Sequence, residues 1–207
     1  MPRRQAPTGA GPVRAAEVAE RATATRDALI TAARRLFVEK GYYGTATEDI
    51  VAAAGVGTRG ALYHHFADKR ALFVAVYEQL QGELLAAASA TAQGDALSRL
   101  RSGVIGLLEA SRTPDVQRIM LIDAPAVLLP EERQDTDERY GLSTMRGLLK
   151  RAVAEGSLPS MPVDAMSHLL LSATQAAARF VANSNHPKAA RQQAITAVNL
   201  LLDGLKN

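Results

Sequence analysis

The side chains with the most chemistry to offer fall within one stretch, Thr45 to Lys69, which reads TATEDIVAAAGVGTRGALYHHFADK. Arg59 carries a guanidinium whose parallel N–H groups can bridge O6 and N7 of a guanine in the major groove. Thr58 adds a hydroxyl, Gly60 permits close backbone approach, and Tyr63 and His64 follow one turn later on the same exposed side. Thr45 and Thr47 at the start of one helix and Lys69 at the start of another place amides, hydroxyls and a cation where an anion is favoured. Together these residue types suit the groove and phosphates of duplex DNA. Adjacent His64 and His65 do not suggest a metal site, because neighbours on a helix diverge by about 100° and cannot easily ligate one ion.

The elements around these residues are helical. From about Ala22 to Lys40, Leu29, Ala33, Leu36 and Phe37 recur at helical spacing, with Arg34, Arg35 and Glu39 opposite, and Gly41 stops the helix. Thr45 and Glu48 match a capping box, which predicts a second helix to about Ala54. Gly55 supplies a positive φ and Val56 tucks the turn inward. A third helix spans Thr58 to about His65, with His65 and Phe66 facing the core. Asp68 is a good N-cap for a fourth, which carries Leu72, Phe73, Val76, Tyr77 and Leu80 and continues past Leu85.

Residues 1–21, with scattered Pro, Gly and Arg, read as a mobile basic arm leading into the first helix, and Arg3 and Arg4 could reach a minor groove. Beyond Gly94, Ala96–Ser111, Asp115–Asp123, Glu131–Glu155, Pro162–Asn183 and Lys188–Leu205 read as helices. They are separated by breaks at Thr113-Pro114, Ala124-Pro125, Leu129-Pro130, the Gly156 to Pro162 segment and His186-Pro187. The chain is therefore expected to be all-α with about nine helices.

Composition narrows the function classes. At 47% hydrophobic residues, 207 residues can bury a substantial core. The chain has no cysteine, so disulfides, thiolate nucleophiles and Cys-ligated metals are excluded, and a reducing cytoplasm fits. Neither a signal peptide nor a membrane span is predicted. The net charge of +3 lies wholly in residues 1–80, with 11 Lys/Arg against 8 Asp/Glu, while residues 81–207 carry 13 of each. Such an excess attracts a phosphate backbone. No Gly-rich phosphate loop, nucleophile elbow or HExxH motif supports an enzyme, and no cofactor or metal is expected.

The run RDALITAARRLFVEKGYYGTATEDIVAAAGV, followed by RGALYHHFADKRALF, resembles the N-terminal domain of the TetR family of transcriptional repressors. The matching positions are Ala33, Phe37, Gly41-Tyr42, Thr45, Asp49-Ile50, Ala54-Gly55-Val56, Leu62-Tyr63, His65-Phe66 and Lys69. Five residues, Gly57 to Ala61, separate Gly55-Val56 from Leu62-Tyr63 where the family usually has four. The added residue is assigned to Gly57 as an N-cap, and it bears on the rotation of the third helix.

The resemblance implies a helix-turn-helix DNA-binding domain over residues 22–70 and a helical ligand-binding and dimerisation domain over 71–207. The implied function is a homodimeric, cytoplasmic repressor released from a palindromic DNA operator by a small-molecule effector. A ligand-independent recruiting protein, an activator and, more remotely, a helical-bundle enzyme or carrier remain as alternatives. Dimerisation through the last two helices, about 162–205, agrees with their apolar residues on more than one face. For the ligand pocket, the candidates are Met120, Asp123, Tyr140, Met145, His168, Gln175 and Arg179, polar or adaptable residues within apolar helices. Asp123 and Arg179 are a candidate pair, since a buried charge needs a partner.

Overall fold

The computed structural model describes residues 12–91 and 93–206, and among these the chain forms nine helices and no strand. The first, α1 (Pro12–Gly44), starts earlier than the periodicity predicts. Residues 14–20 are exposed, so they form a helix through propensity, being rich in Ala, Glu and Arg, and not through burial. Of the expected arm, residues 1–11, and with them Arg3 and Arg4, lie outside the described residues. At Gly41 α1 breaks, with φ 75° and ψ 167°, as its glycine suggests.

The helices α2 (Thr47–Ala54), α3 (Arg59–His65) and α4 (Lys69–Thr91) follow. Gly55 closes α2 at φ 67°, its N–H donating to the Ala52 carbonyl while the Val56 N–H returns to Val51. Asp68 caps α4 as expected, accepting from the Ala71 amide at 2.7 Å. The core of this end is aromatic and tight. Phe37 and Phe73 are wholly buried and meet edge to face at 5.3 Å, and Tyr42 packs against both. Ile50, Leu62 and Leu72 complete it.

The chain continues through α5 (Ala96–Ala110), α6 (residues 116–127), α7 (residues 130–154), α8 (Val163–Ala182) and α9 (Pro187–Gly204). Two of these contain wider, π-helical turns, at Val116–Asp123 in α6 and at Glu138–Leu142 in α7. The expected break at Ala124-Pro125 is absent. The π-helical turns run directly into α geometry at Ala124, whose N–H donates to the Ile119 carbonyl, and Pro125 follows within the same helix.

The core divides in two. Val116, Ile119 and Ala124 of α6, with Leu128 just after it, pack with the N-terminal aromatic core, whereas α5, α7, α8 and α9 enclose a second core mainly of Leu, Val and Ala. Small residues on α5 leave part of that second core open.

Candidate functional site

Two features stand out, an exposed polar surface on α2 and α3 and a cavity among the C-terminal helices. On the first, Leu62 is wholly buried and Phe66 nearly so, which sets the rotation of α3 and turns Arg59, Gly60, Tyr63 and His64 outward. Gly57 is not the N-cap. It takes φ 80°, and Thr58 caps α3 instead, its hydroxyl accepting from the Ala61 amide at 3.3 Å. The added residue is thus absorbed in the turn, where a positive φ costs glycine little. His65 is half buried and its ring lies edge-on to that of His64.

Arg59, Tyr63, Thr47 and Glu48 form one surface cluster. Arg59 pairs with Glu48 Oε1 at 2.8 Å and donates to the Tyr63 hydroxyl at 3.4 Å, while the Thr47 hydroxyl donates to Glu48 Oε2 at 3.1 Å. Hydrogen bonding to Arg59, and secondarily to Thr47, holds the Tyr63 hydroxyl below the usual tyrosine range. All four side chains are reachable from solvent, so an incoming phosphate or base edge can exchange for these contacts.

Two of the predicted clamps are placed differently. Thr45 is buried, and its hydroxyl turns back to the Gly41 carbonyl at 2.7 Å, with the Leu36 carbonyl at 3.2 Å. The capping box therefore does not form. The N-cap of α2 is Ala46, and Glu48 turns toward Thr47 and Arg59. The cause is the break at Gly41, which leaves carbonyls at the end of α1 that need a donor. Lys69 serves the same corner, its ammonium donating to the Tyr42 and Thr45 carbonyls at 3.0 Å each and lying 4.3 Å from the Tyr42 ring centre. Both residues hold the α1–α2 corner in place and do not project from the surface.

The same corner joins the two halves of the molecule. The Tyr42 amide donates to Asp123 Oδ2 of α6 at 2.8 Å, and Arg118 pairs with that oxygen at 3.2 Å. The Arg118 guanidinium lies where a Cβ on Gly41 would stand. Tyr43 donates to the Ala126 carbonyl, and Arg34 of α1 binds Glu83 of α4 and Asp115 just before α6. Asp123 is thus an anchor between α1 and α6. It is neither a cavity residue nor a partner of Arg179, which is exposed.

The cavity has a volume of about 450 Å³ and lies among α4, α5, α7 and α8. Tyr140 and Met145 line it, and of the predicted ligand residues these are the two it includes. His168 and Gln175 line a smaller neighbouring cleft of about 260 Å³ with Arg133 and Asp137, where Gln175 donates to Asp137 at 3.2 Å. Met120 packs against the N-terminal core. Sequence reasoning missed Gln81, Gly103, Gly106, Thr144 and Thr174 of the main cavity. The signal available was the pair of glycines inside a predicted helix, since each weakens a helix relative to alanine and so calls for a reason.

Comparison with known proteins bears on both features. Residues 29–76 match the family described as bacterial regulatory proteins, tetR family, and residues 97–205, just over half the chain, match the tetracyclin repressor-like C-terminal domain. The HTH-type transcriptional regulator AcrR of Shigella flexneri is 39% identical over 105 residues, an alignment that spans 49% of this chain and 48% of that protein. The HTH-type transcriptional repressor BepR of Brucella suis is 32% identical over 160 residues, covering 70% of this chain and 72% of its own. A TetR-family transcriptional regulator from Pectobacterium atrosepticum has a crystal structure that superposes with a TM-score of 0.75 at 34% identity, covering 90% of this chain and 96% of that one. The chain therefore belongs to the tetR family of bacterial transcriptional regulators, with α1 to α3 as its helix-turn-helix end.

Proposed function

We propose that the chain is a homodimeric repressor that holds a palindromic operator and releases it when a small molecule fills the cavity. The observation that carries this reading is the double role of α4. Its first residue, Lys69, fixes the α1–α2 corner four residues after α3 ends, and its later turns, from Gln81 to Ser89, line the cavity. A ligand that favours one setting of α4 would change the separation of two recognition helices, and differential affinity for the two settings is all that such coupling requires. Residues 22–70 then form the DNA-binding unit and 71–207 the sensing and dimerising unit, with the Asp123 anchor between them.

Thr47, Thr58, Arg59, Gly60, Tyr63 and His64 make the DNA contacts in this reading. Arg59 reads a base, and the amide end of α2, with no side chain capping it, meets a phosphate. A second copy covers α8 and α9. On α8, Leu169, Ala173, Ala176 and Phe180 lie at i, i+4, i+7 and i+11, and Leu169 and Phe180 are at least half exposed, as are Leu200 and Leu201 on α9. Large apolar side chains in such a stripe are costly in water and suit an isologous contact. Among the described residues no helix is long and apolar enough to cross a membrane, and the protein acts in the cytoplasm in this reading.

The test is to measure mass in solution and DNA affinity on the same samples of wild type and Leu200→Asp. The expected outcome is a dimer converted to a monomer with DNA affinity lost in parallel. A monomeric variant that binds DNA as tightly as wild type would contradict the dimeric reading.

A further inference from the structure

The cavity's walls indicate the chemistry of what it holds. Gly103 and Gly106 sit one turn apart in the middle of α5, and a Cβ built on either meets no atom within 4 Å. Two interior glycines weaken a helix that alanine would strengthen, and here they deepen the cavity. Around them stand Leu84, Leu100, Val104, Leu107, Met145 and Leu148.

Apart from Arg99, the polar side chains among the described lining residues are neutral. Gln81 donates its amide to the Tyr77 hydroxyl at 3.1 Å and keeps its carbonyl oxygen as an acceptor. Thr174 donates to the Leu170 carbonyl at 2.7 Å. Tyr140 and Thr144 line the cavity with hydroxyls that no described residue engages. Arg99 is the one charged side chain among the lining residues described. It is exposed, and its Nε–H is donated to the Gly94 carbonyl at 3.1 Å. An ion entering the cavity would lose its hydration with no buried counter-charge to replace it, whereas a hydroxyl or carbonyl would find a partner.

We propose that the cavity takes an uncharged, largely hydrocarbon molecule whose body lies over Gly103 and Gly106 and whose one or two polar groups hydrogen-bond Tyr140, Thr144 or Gln81. This deepens the reading of the cavity as the effector site and rests on it. The volume is within the range usual for small-molecule pockets that are apolar with a few placed polar groups.

The test compares three probes that share one hydrocarbon body and differ in charge: 4-phenylphenol, biphenyl-4-carboxylate and biphenyl-4-ylmethylammonium. Each is titrated calorimetrically into the full chain at pH 7.5, using wild type, Gly106→Leu, Gly106→Ala and Tyr140→Phe. The phenol is expected to bind at least tenfold more tightly than either ion. Its binding should vanish in Gly106→Leu, weaken in Gly106→Ala and fall severalfold in Tyr140→Phe, a variant that keeps the ring. Equal or tighter binding of an ion, undiminished phenol binding in both Gly106 variants, or no phenol binding up to its solubility would overturn the proposal. Release of bound DNA is read separately. A phenol that binds with this selectivity and leaves DNA bound counts against the effector role alone. A charged compound that releases DNA and loses this action in Gly106→Leu counts against the ligand class alone.

Discussion

The helix-turn-helix end and the cavity end are built from the same helix-forming residues, yet they are packed in opposite ways. Around α1 to α4, rings of Phe37, Tyr42 and Phe73 interlock, and the positive-φ glycine at the corner is covered by a guanidinium held on Asp123. On α5, Gly103 and Gly106 face open space, and on α7 a π turn carries Tyr140 in the cavity wall. The difference is one of tolerance. In the proposed function, a surface that presents Arg59 in a set position needs a rigid base, and a cavity that admits a ligand needs room. Substitutions of similar size should therefore act with different magnitude, and at glycines with different sign, at the two ends.

The largest expected effect is in the aromatic core. Phe37→Ala should lose about 3–5 kcal/mol, since a wholly buried ring is removed from a tight packing, and chemical denaturation will measure it. A loss below about 1 kcal/mol would show that this end is as loosely packed as the cavity. Next is the anchor between the ends. Asp123→Ala leaves the Tyr42 amide and Arg118 without their shared acceptor and should cost about 1–3 kcal/mol, with Asp123→Asn losing less. If both variants melted as wild type, the anchor would not matter to stability.

Tyr77 at the boundary sharpens the comparison through pH. Burial, with a contribution from the negative charge of Asp137, pushes its hydroxyl up to about 12, above the ordinary tyrosine value of about 10. The folded state then keeps a proton that the unfolded state releases. The stabilisation is complete below about pH 10 and is lost as pH rises toward about 12, a change of about 2 kcal/mol. Unfolding free energies of wild type and Tyr77→Phe between pH 9 and 12 will check it. Wild type should lose more stability over that range than the variant, and parallel curves would contradict the burial of the hydroxyl.

The smallest effects come from a pair of glycines and differ in sign. Gly41→Ala should destabilise by about 1–2 kcal/mol, because alanine resists φ 75° and its Cβ would displace Arg118. Gly106→Ala should stabilise by about 0.5–1 kcal/mol, because it improves helix propensity and its Cβ enters open space. Melting curves of both variants decide it, and a shared sign would remove the contrast between the two ends.

How far this architecture was legible in the sequence follows the same division. Helix stops at Gly41 and Gly55, the Asp68 cap and the buried face of Leu62 and Phe66 depend on local rules, and the motif that exposes Arg59 and Tyr63 could be located from them. Thr45 and Glu48 matched a local pattern too, but the carbonyls freed by the break at Gly41 took the Thr45 hydroxyl, and the Lys69 ammonium went to the carbonyls of Tyr42 and Thr45. The cavity was less legible. Polar residues drew attention in the sequence, whereas much of the lining is aliphatic or glycine, and what a missing side chain opens depends on helices distant in the chain. Asp123 needed a partner, but its partners are the Tyr42 amide 81 positions away and Arg118 on its own helix, not Arg179.

In the proposed function an outward-facing Arg59 on each of two copies reads a symmetric DNA site. This is tested most directly by selecting bound duplexes from a random pool at about 0.15 M salt with wild type and with Arg59→Ala. Wild type is expected to select a two-fold-symmetric site, with half-sites about one helical turn apart. In Arg59→Ala, preference should be relaxed by about tenfold to a hundredfold at one base pair of each half-site and kept elsewhere. A selected site without symmetry, or an Arg59→Ala selection identical to wild type, would contradict it.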